Sequence, residues 1–310
     1  MTIAHRFIGI DISKMYLDIF DDRFGSIERI ANTPAAIAAA LARWQRADTR
    51  VIFEATGSYD RVLRRALEAA GIAFVRVNPA RARDFARATS TLAKTDAIDA
   101  RLLAAMGRAL ALVPREAGDP LRERLAALHR RRDQLVANRG EERNRLAVTE
   151  DDDVRTSIAA HIVWIGTEIR RLQVAIDRLV ASSAELAALC DRLQTAPGVG
   201  PVTAVTLMAL MPELGNRSGK TIAALAGLAP FNHDSGALRG QRHIRGGRRR
   251  VRQALYMAAL TAIRKAPSLA AHYRKVLARS GHTKVGIIAV ARKLLVALNA
   301  MAKTGQPFAT

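Results

Sequence analysis

The chain has 310 residues, enough for two domains and a connecting element, and it carries a formal net charge of +21. The charge is uneven: Lys and Arg exceed Asp and Glu by 5 in residues 1–116, balance them in 117–190, and exceed them by 16 in 191–310. This asymmetry predicts a polyanionic partner, most simply nucleic acid, although a basic protein of ribosomal type would share it.

The sequence lacks the features of three kinds of protein: disulfide-linked or cysteine-zinc proteins, secreted proteins and membrane proteins. A single cysteine, Cys190, excludes a disulfide framework and a cysteine zinc site within the chain. The N-terminus has no apolar signal core, and no apolar run approaches the roughly 20 residues that a membrane span needs. We therefore expect a cytoplasmic protein with no membrane role.

The N-terminal third alternates short apolar runs with helical patterns, which predicts an α/β domain built on a central sheet. We expect helices to begin near Pro34, Tyr59 and Pro79. The expected strands lie near residues 7–12, 16–20, 24–30, 51–54 and 73–77.

Four carboxylates stand at the ends of these elements. Asp11 follows the first strand, Glu54 ends a middle strand, and Asp96 and Asp99 open an apolar-periodic helix three residues apart, hence on one face. The simpler alternative for this last pair is that it complements the helix dipole. Strand ends of such sheets gather ligands, and four converging carboxylates need cations. Oxygen-only ligands favour Mg²⁺ or Mn²⁺, and paired Mg²⁺ ions serve phosphodiester displacement.

This ordered set of acids resembles the RNase H/RuvC-type nuclease fold. The same Gly-Ile-Asp strand opens actin-like ATPases, but those need glycine-rich phosphate loops later in the chain, and residues 50–116 contain no such loop. We therefore assign residues 1–116 to a RuvC-like catalytic domain.

Residues 117–186 have the pattern of a helical hairpin or coiled coil. They begin at Gly118-Asp119-Pro120 and break at the acidic run 150–153. After that break, apolar residues recur in steps of four and three, which is a heptad seam. We expect the seam to carry an oligomer contact, packing within its own domain being the alternative. Its members are Ile158, Ile162, Ile165, Ile169, Leu172, Ile176 and Leu179.

Residues 187–310 form the basic C-terminal domain in this interpretation, mainly α-helical. Pro197-Gly198-Val199-Gly200 resembles the hairpin of a helix-hairpin-helix motif, whose glycines let backbone N–H groups approach a DNA phosphate. Gly198 and Gly200 are therefore candidate nucleic-acid contacts. An ordinary turn between two helices is the alternative.

A second unusual stretch runs from Leu225 to Arg252, with a Ser-Gly turn followed by seven arginines. Arginine forks grip phosphate oxygens, and cations around a serine lower the cost of its alkoxide, so Ser235 could attack phosphorus. A turn-capping serine is the alternative. The candidate nucleic-acid-binding arginines are Arg239, Arg242, Arg245, Arg248, Arg249 and Arg250.

Several motifs together resemble the DEDD transposases of the insertion-sequence 110 family. They are Gly-Ile-Asp-Ile-Ser-Lys at 9–14, Glu-Ala-Thr-Gly-Ser-Tyr at 54–59, Asn-Pro at 78–79, Lys-Thr-Asp-Ala-Ile-Asp-Ala at 94–100, Pro-Gly-Val-Gly at 197–200, and Gly-Leu-Ala-Pro through Ser-Gly to Ile-Arg-Gly-Gly at 227–247. The resemblance keeps the motif order over nearly the whole chain. It implies a RuvC-like domain, a coiled-coil linker and a C-terminal transposase domain.

The resemblance also implies roles. The family's acid tetrad falls on Asp11, Glu54, Asp96 and Asp99, and its nucleophilic serine falls on Ser235. A Mg²⁺-dependent recombinase acting through a phosphoserine intermediate would follow. Its partners would be double-stranded target and donor DNA at the bacterial nucleoid and an element-encoded structured guide RNA. We expect a homo-oligomer, a dimer or tetramer, in which acids from one chain work with the serine of another.

Two rival classes and one variant of the main interpretation stay open at this point. A hydrolytic nuclease or Holliday-junction resolvase would use the acids with water and leave Ser235 structural. A non-catalytic nucleic-acid-binding protein would use the acids as helix caps. The family also includes site-specific DNA invertases, so inversion competes with transposition.

Overall fold

The computed structural model describes residues 6–44, 48–55, 57, 59–91, 95–112, 114, 119–231, 234–235, 238–239 and 243–308. For residues 231, 234, 235, 238 and 239 it describes the backbone alone. The chain forms two compact units, Met1–Ala117 and Gly118–Thr310.

The first unit is a mixed α/β domain, as predicted. Its five-stranded sheet has the order β3-β2-β1-β4-β5, in which β1 pairs antiparallel with β2 and parallel with β4. This arrangement is compatible with an RNase H-like domain. The strands are β1 Arg6–Ile12, β2 Tyr16–Asp21, β3 Ser26–Ala31, β4 Thr49–Glu54 and β5 Ala73–Val77. The helices are α1 Pro34–Ala42, α2 Arg61–Ala70, α3 Pro79–Ala88 and α4 Asp96–Ala109.

Alternation along the strands divides the core of this unit between the two faces of the sheet. On one face, Ile8, Ile10 and Phe53 pack with residues of α1 and α2. On the other face, Ile52 packs with Leu103 and other residues of α4. Helix α4 therefore covers the face of the sheet opposite α1 and α2.

The second unit is built from eight helices and two short strand pairs in its described part. The helices are α5 Pro120–Val148, α6 Asp152–Ala181, α7 Ala184–Gln194, α8 Pro201–Leu210, α9 Gly219–Leu225, α10 Arg249–Lys265, α11 Pro267–Ser280 and α12 Thr283–Thr304. The strands are β6 Pro230–Phe231, β7 Asp234–Ser235, β8 Leu238–Arg239 and β9 His243–Ile244, with β6 paired to β9 and β7 to β8.

Helices α5 and α6 form an antiparallel hairpin. Near the connection, Arg155 donates to the carbonyl oxygens of Leu146 and Thr149, whereas at the far end Leu125 and Ile176 share one core. Five residues of the predicted seam, from Ile165 to Leu179, are buried within this unit. The seam therefore packs on its own chain over most of its length, as the alternative reading of the heptads required.

One long core of the second unit joins the base of the hairpin to the helices that follow it. Leu125 of α5 and Leu179 of α6 belong to the same buried cluster as Leu207, Leu255 and Leu294 of α8, α10 and α12. The predicted connecting segment and the predicted C-terminal domain thus share a hydrophobic core.

Helix α12 differs from expectation in one respect. It is long and apolar enough to cross a membrane by length and composition, although no apolar segment of that length was expected. Half of its apolar stretch is buried inside the unit, which is the behaviour of the core helix of a globular protein. Leu294, Leu295 and Leu298 on its inner side are fully buried.

Candidate active site

A glycine in β1 lets α4 lie directly on the sheet. A Cβ built on Gly9 would overlap the carbonyl oxygen of Ala100 and lie 2.6 Å from the amide nitrogen of Ala104. Only a residue without a side chain fits this approach. Since Asp11 lies two residues further along the strand, it is on the same face as Gly9 and therefore faces α4.

The carboxyl of Asp11 is held among other acids. Burial raises the pKa of Asp11 from 3.8 to about 6, with further increases from the charges of Asp99 and Asp96 and a smaller one from Asp18, against one backbone hydrogen bond that lowers it. Crowding of like charges with partial desolvation is typical of functional carboxylates. Three of the four predicted acids are thus brought together.

Glu54 lies at the same edge of the sheet. The parallel register places Ile10 beside Phe53, so Asp11 and Glu54 come next on neighbouring strands. Alternation puts Glu54 on the face of Ile52, which packs with α4. Both carboxyls are half-buried. Glu54 is nevertheless not among the described groups that shift the pKa of Asp11.

The first turn of α4 presents the remaining acids. Thr95 caps the helix by accepting a hydrogen bond from the backbone N–H of Ile98 at 3.3 Å, and Asp96 and Asp99 follow within that turn. The helix dipole favours carboxylates at this position, which is the simpler explanation for the pair. Their effect on Asp11 shows that they also act across the α4–β1 contact.

Arg29 bridges two of the acids, and its role was not predicted from the sequence. Its guanidinium donates to both carboxylate oxygens of buried Asp18 at 2.9 and 3.0 Å and to Asp96 at 2.8 Å. Asp18 lies opposite Asp11 in the antiparallel register of β1 and β2. Asp18 is thus a fifth carboxylate of the cluster.

The donor set fits a hard divalent cation by its chemistry, because several carboxylate oxygens share one face and repel one another. In the described part of the chain, no group of three or more Asp, Glu, His or Cys side chains could by itself hold a metal ion. Arg29 supplies positive charge to Asp96 and Asp18 instead. The residues therefore suit a divalent cation by the type of their ligand atoms, and not by a preformed arrangement of the described side chains.

In the second unit, glycines lock together the two segments that flank the Ser235 hairpin. A Cβ on Gly227 would overlap the carbonyl oxygen of Gly246, and one on Gly247 would overlap the backbone of Gly227. All three glycines have φ between +67° and +71°, where other residues are strained. Arg252 donates to the Gly246 carbonyl oxygen at 2.7 Å and closes the arrangement.

This framework carries the hairpin with the candidate nucleophile. The β6–β9 pair forms its base, and Ser235 of β7 lies opposite Leu238 of β8. For Ser235 and Arg239 the structure describes the backbone only, and Arg242 lies outside the described residues. The role of Ser235 remains a prediction.

The remaining candidate arginines divide into two pairs. Arg248 donates to both carboxylate oxygens of Glu213 at 2.6 and 2.7 Å, and Arg250 forms a two-point ion pair with Asp133 of α5. Arg245 and Arg249 are exposed. A run of arginines in sequence therefore mixes residues bound within the protein with residues that are open to a ligand.

The Pro-Gly-Val-Gly turn connects α7 to α8 and packs inward at its first glycine. A Cβ on Gly198, whose φ is +80°, would overlap the carbonyl oxygen of Ala258 and lie 2.9 Å from the amide nitrogen of Ala262 in α10. Gly200 has open space beside it and precedes α8, which has no side-chain cap. The close contact with α10 accounts for Gly198 structurally, and a phosphate contact at Gly200 remains a prediction.

Two family models match this chain. Residues 8–149 match the DEDD transposase model of IS110 type, and residues 190–274 match the model described as Transposase IS116/IS110/IS902 family. Together they include both the acid cluster and the Ser235 hairpin.

Curated relatives agree with these matches. The chain is 27% identical to the pilin gene-inverting protein of Moraxella lacunata over 99% of this chain and 98% of the relative, and 28% identical to that of Moraxella bovis over 83% and 81%. It is also 28% identical to the insertion element IS110 uncharacterized 43.6 kDa protein of Streptomyces coelicolor, over 50% of this chain and 38% of the relative. The chain belongs to the IS110 family of DNA transposases.

Proposed function

We propose that this transposase is a recombinase that cuts and rejoins DNA through a phosphoserine at Ser235, assisted by Mg²⁺ or Mn²⁺ at Asp11, Glu54, Asp96 and Asp99. The observation that carries this proposal is the environment of Asp11, where burial first and then the charges of Asp99 and Asp96 raise its pKa to about 6. Maintaining such repulsion costs stability, and a structural helix cap does not require it.

The reaction at Ser235 exchanges one phosphate ester bond for another, so it needs no external energy source. The Ser235 hydroxyl oxygen forms a bond to a DNA phosphorus and loses its proton, while the bond from phosphorus to the 3′-oxygen breaks and that oxygen takes up a proton. The phosphodiester is conserved as a phosphoserine. Attack by a 3′-hydroxyl of another strand then reverses these steps and joins the new ends.

In this proposal the acid cluster holds a metal ion, which stabilises the negative charge of the reacting phosphate. DEDD transposases generally use divalent metal ions. Such an ion supplies positive charge that stabilises the extra negative charge of the phosphorane. The carboxylates of Asp11, Glu54, Asp96 and Asp99 would hold it, and the hydrogen bonds from Arg29 would keep Asp96 and Asp18 oriented.

The partners in this proposal are double-stranded target and donor DNA and a structured guide RNA encoded by the element. The 19 Lys and Arg residues against three acids in residues 191–310 support a large polyanionic partner. We also propose a homo-oligomer, a dimer or tetramer. Because the heptad seam is used inside the chain from Ile165 to Leu179, a contact between copies would use other surfaces of the hairpin.

Site-specific inversion is the second candidate outcome of the same chemistry. It is favoured by the two pilin gene-inverting relatives, one of which aligns over nearly its full length. Cutting and rejoining are common to inversion and transposition, and the arrangement of the two DNA sites decides between them. A plasmid with inverted or separated sites distinguishes these outcomes.

The test is a denaturing-gel assay for a covalent protein–DNA adduct, with Mg²⁺, duplex DNA carrying the element ends, and RNA transcribed from the element's flanks. We expect an adduct with the wild type and none with Ser235→Ala or Asp99→Ala. Ser268→Ala and Asp84→Ala are matched controls at exposed positions and should form the adduct normally.

Two results would contradict the proposal. Cut DNA without an adduct, unaffected by Ser235→Ala, would establish a hydrolytic nuclease or resolvase. Binding without any cleavage, with or without Mg²⁺, would establish a non-catalytic nucleic-acid-binding protein. Omitting the RNA tests the guide separately, since an unchanged adduct would remove it from the proposal.

A further inference from the structure

A cleft of about 960 Å³ lies beside the base of the Ser235 hairpin. Its walls come from the β6–β9 pair and from α10, α11 and α12. Pro230 and Ile244 contribute from the hairpin base, and Tyr256 contributes an aromatic ring from α10. No catalytic role has been assigned to any of these residues.

The floor of the cleft is apolar and accessible. Helix α12 buries one side, including Val290 and Leu294, in the core of the unit. Its other side carries Val285 and Val296, which line the cleft and are 47% and 37% exposed. Since α12 is apolar on both sides, its open side is not explained by packing within the chain.

The rim of the cleft carries only positive charge. Arg279, Lys284, Arg292 and Lys293 all line it, and among the described lining residues there is no Asp or Glu. Burial, followed by the charges of Lys293, Lys275 and Arg279, lowers the pKa of His272, another lining residue. Its imidazole is therefore neutral near pH 7 and can donate or accept a hydrogen bond at the edge of a base.

We propose that this cleft binds an unpaired nucleotide of single-stranded DNA, with the base on the apolar floor beside Tyr256 and the backbone phosphates on the basic rim. Apolar and aromatic floors bind exposed base faces, and basic rims track the phosphate backbone. A duplex stacks its bases inside and presents mainly phosphates to such a surface, so it would leave the valines and Tyr256 unused.

The choice of DNA rather than RNA rests on the proposed function. The backbone of Phe231 pairs with that of His243 at the cleft and precedes Ser235 by four residues, so a strand held here would lie at the base of the hairpin that carries the residue proposed to attack DNA. Strand exchange separates the paired strands at the cut, which supplies an unpaired nucleotide. The cleft would hold it in place while strands exchange.

Fluorescence anisotropy with the full-length chain tests the proposal. The probes are labelled oligo-dT and oligo-U of about 12 nucleotides, the length that such sites cover, and a duplex of the same length. We expect Val285→Glu and Tyr256→Leu to weaken oligo-dT binding about tenfold and duplex binding less than about twofold. Thermal unfolding by circular dichroism shows whether each variant is folded.

Matched controls separate the cleft from the general charge of the unit. Val163→Glu places the same acid at an exposed valine of α6, and Lys265→Gln removes a cation outside the cleft, whereas Lys293→Gln removes one on its rim. Of these three variants, Lys293→Gln alone should weaken oligo-dT binding more than duplex binding. A 5-iodouracil probe should cross-link to Tyr256 on irradiation, and Tyr256→Leu should lose that product.

Three outcomes would overturn the proposal: equal losses for cleft and control variants, equal losses for oligo-dT and duplex, or a loss confined to oligo-U, which would assign the cleft to RNA. The assay needs no reaction at Ser235. If the covalent adduct formed by the wild type also forms with Ser235→Ala, the proposed function is refuted. The binding of oligo-dT by the cleft would not be affected by that result.

Discussion

The charged form of Asp11 is disfavoured in the folded chain. Its pKa rises from 3.8 to about 6 on folding, so this residue is most favourable to stability below about pH 4 and loses that contribution as pH rises through 6. We expect Asp11→Asn to raise the free energy of unfolding by about 2 kcal/mol at pH 8, allowing for partial exposure, and to abolish DNA cleavage. Urea unfolding at pH 8 and pH 4 measures the difference.

The pH dependence makes that prediction specific. At pH 4 most of the gain from Asp11→Asn should disappear, since the native carboxyl is then protonated and the carboxyl of the unfolded chain is only partly ionised. Asp84→Asn, at an exposed position of α3, should change stability by less than about 0.5 kcal/mol at both values. A gain that is equal at pH 4 and pH 8 would mean that the asparagine stabilises the fold for another reason.

Arg29 neutralises two carboxylates of the acid cluster, those of Asp18 and Asp96. Its removal leaves the carboxylate of Asp18 buried without its two hydrogen bonds and frees Asp96. We expect Arg29→Ala to destabilise the chain by about 1–3 kcal/mol, because an unpaired buried charge is costly. The control is Arg43→Ala, which breaks an ion pair with Glu28 between two exposed side chains and should change stability by less than about 1 kcal/mol. Equal effects of the two variants in thermal unfolding would contradict this role for Arg29.

The contribution of Asp18 and Arg29 could not be predicted from sequence because it depends on strand register. Asp18 is a polar residue inside the strand Tyr16–Asp21 and, by sequence, resembles any polar strand residue. Only the pairing of Asp11 with Asp18, and the approach of α4 to that face, bring these groups together. In contrast, Asp96 and Asp99 were predictable as neighbours, because three residues in a helix place them on one face.

At the scale of elements, the contact between β1 and α4 decides whether the acids meet. We expect Gly9→Ala to destabilise the first unit by more than about 2 kcal/mol and to abolish cleavage, because the new methyl group overlaps the backbone of α4. Gly166→Ala, at a helical position of α6 with nothing within 4 Å, should instead stabilise the chain by up to about 1 kcal/mol.

Thermal unfolding and the adduct assay check both glycine variants. A Gly9→Ala protein with wild-type stability and cleavage would show that α4 can shift without separating Asp96 and Asp99 from Asp11. The comparison with Gly166→Ala removes the general effect of replacing glycine, which reduces the conformational freedom of the unfolded chain in both variants.

The periodic elements were predictable, and their partners were not. Alternation and apolar runs located all five strands of the first unit, and the heptad steps located α6. The same steps could not show that the seam packs on α5 of its own chain. The arginine run likewise could not show that Arg250 pairs with Asp133, since these residues lie 117 positions apart. Contacts between residues far apart in sequence are set by the packing of the helices, and the local sequence pattern does not predict them.

At the scale of the whole molecule, a strongly positive second unit follows a first unit with a smaller positive charge. Acids are rare after residue 190, and the structure describes the side chains of two of the three there, Asp191 and Glu213. Glu213 is committed to Arg248. Most of the cations are thus left to the solvent or to a ligand, so the affinity for DNA should depend strongly on salt.

Arg245 and Arg249 should account for part of that salt dependence, and Arg248 and Arg250 should not. Each exposed arginine that contacts a phosphate contributes about 0.9 to the slope of log affinity against log salt. We expect Arg245→Gln with Arg249→Gln to reduce the slope by about 2 for duplex DNA, with unfolding unchanged. Arg248→Gln and Arg250→Gln should instead lower stability by about 1–2 kcal/mol, because Glu213 and Asp133 each lose one ion pair, and leave the slope nearly unchanged. The reverse pattern, with the slope falling in Arg250→Gln, would show that DNA displaces Asp133 and that this ion pair opens when the protein binds.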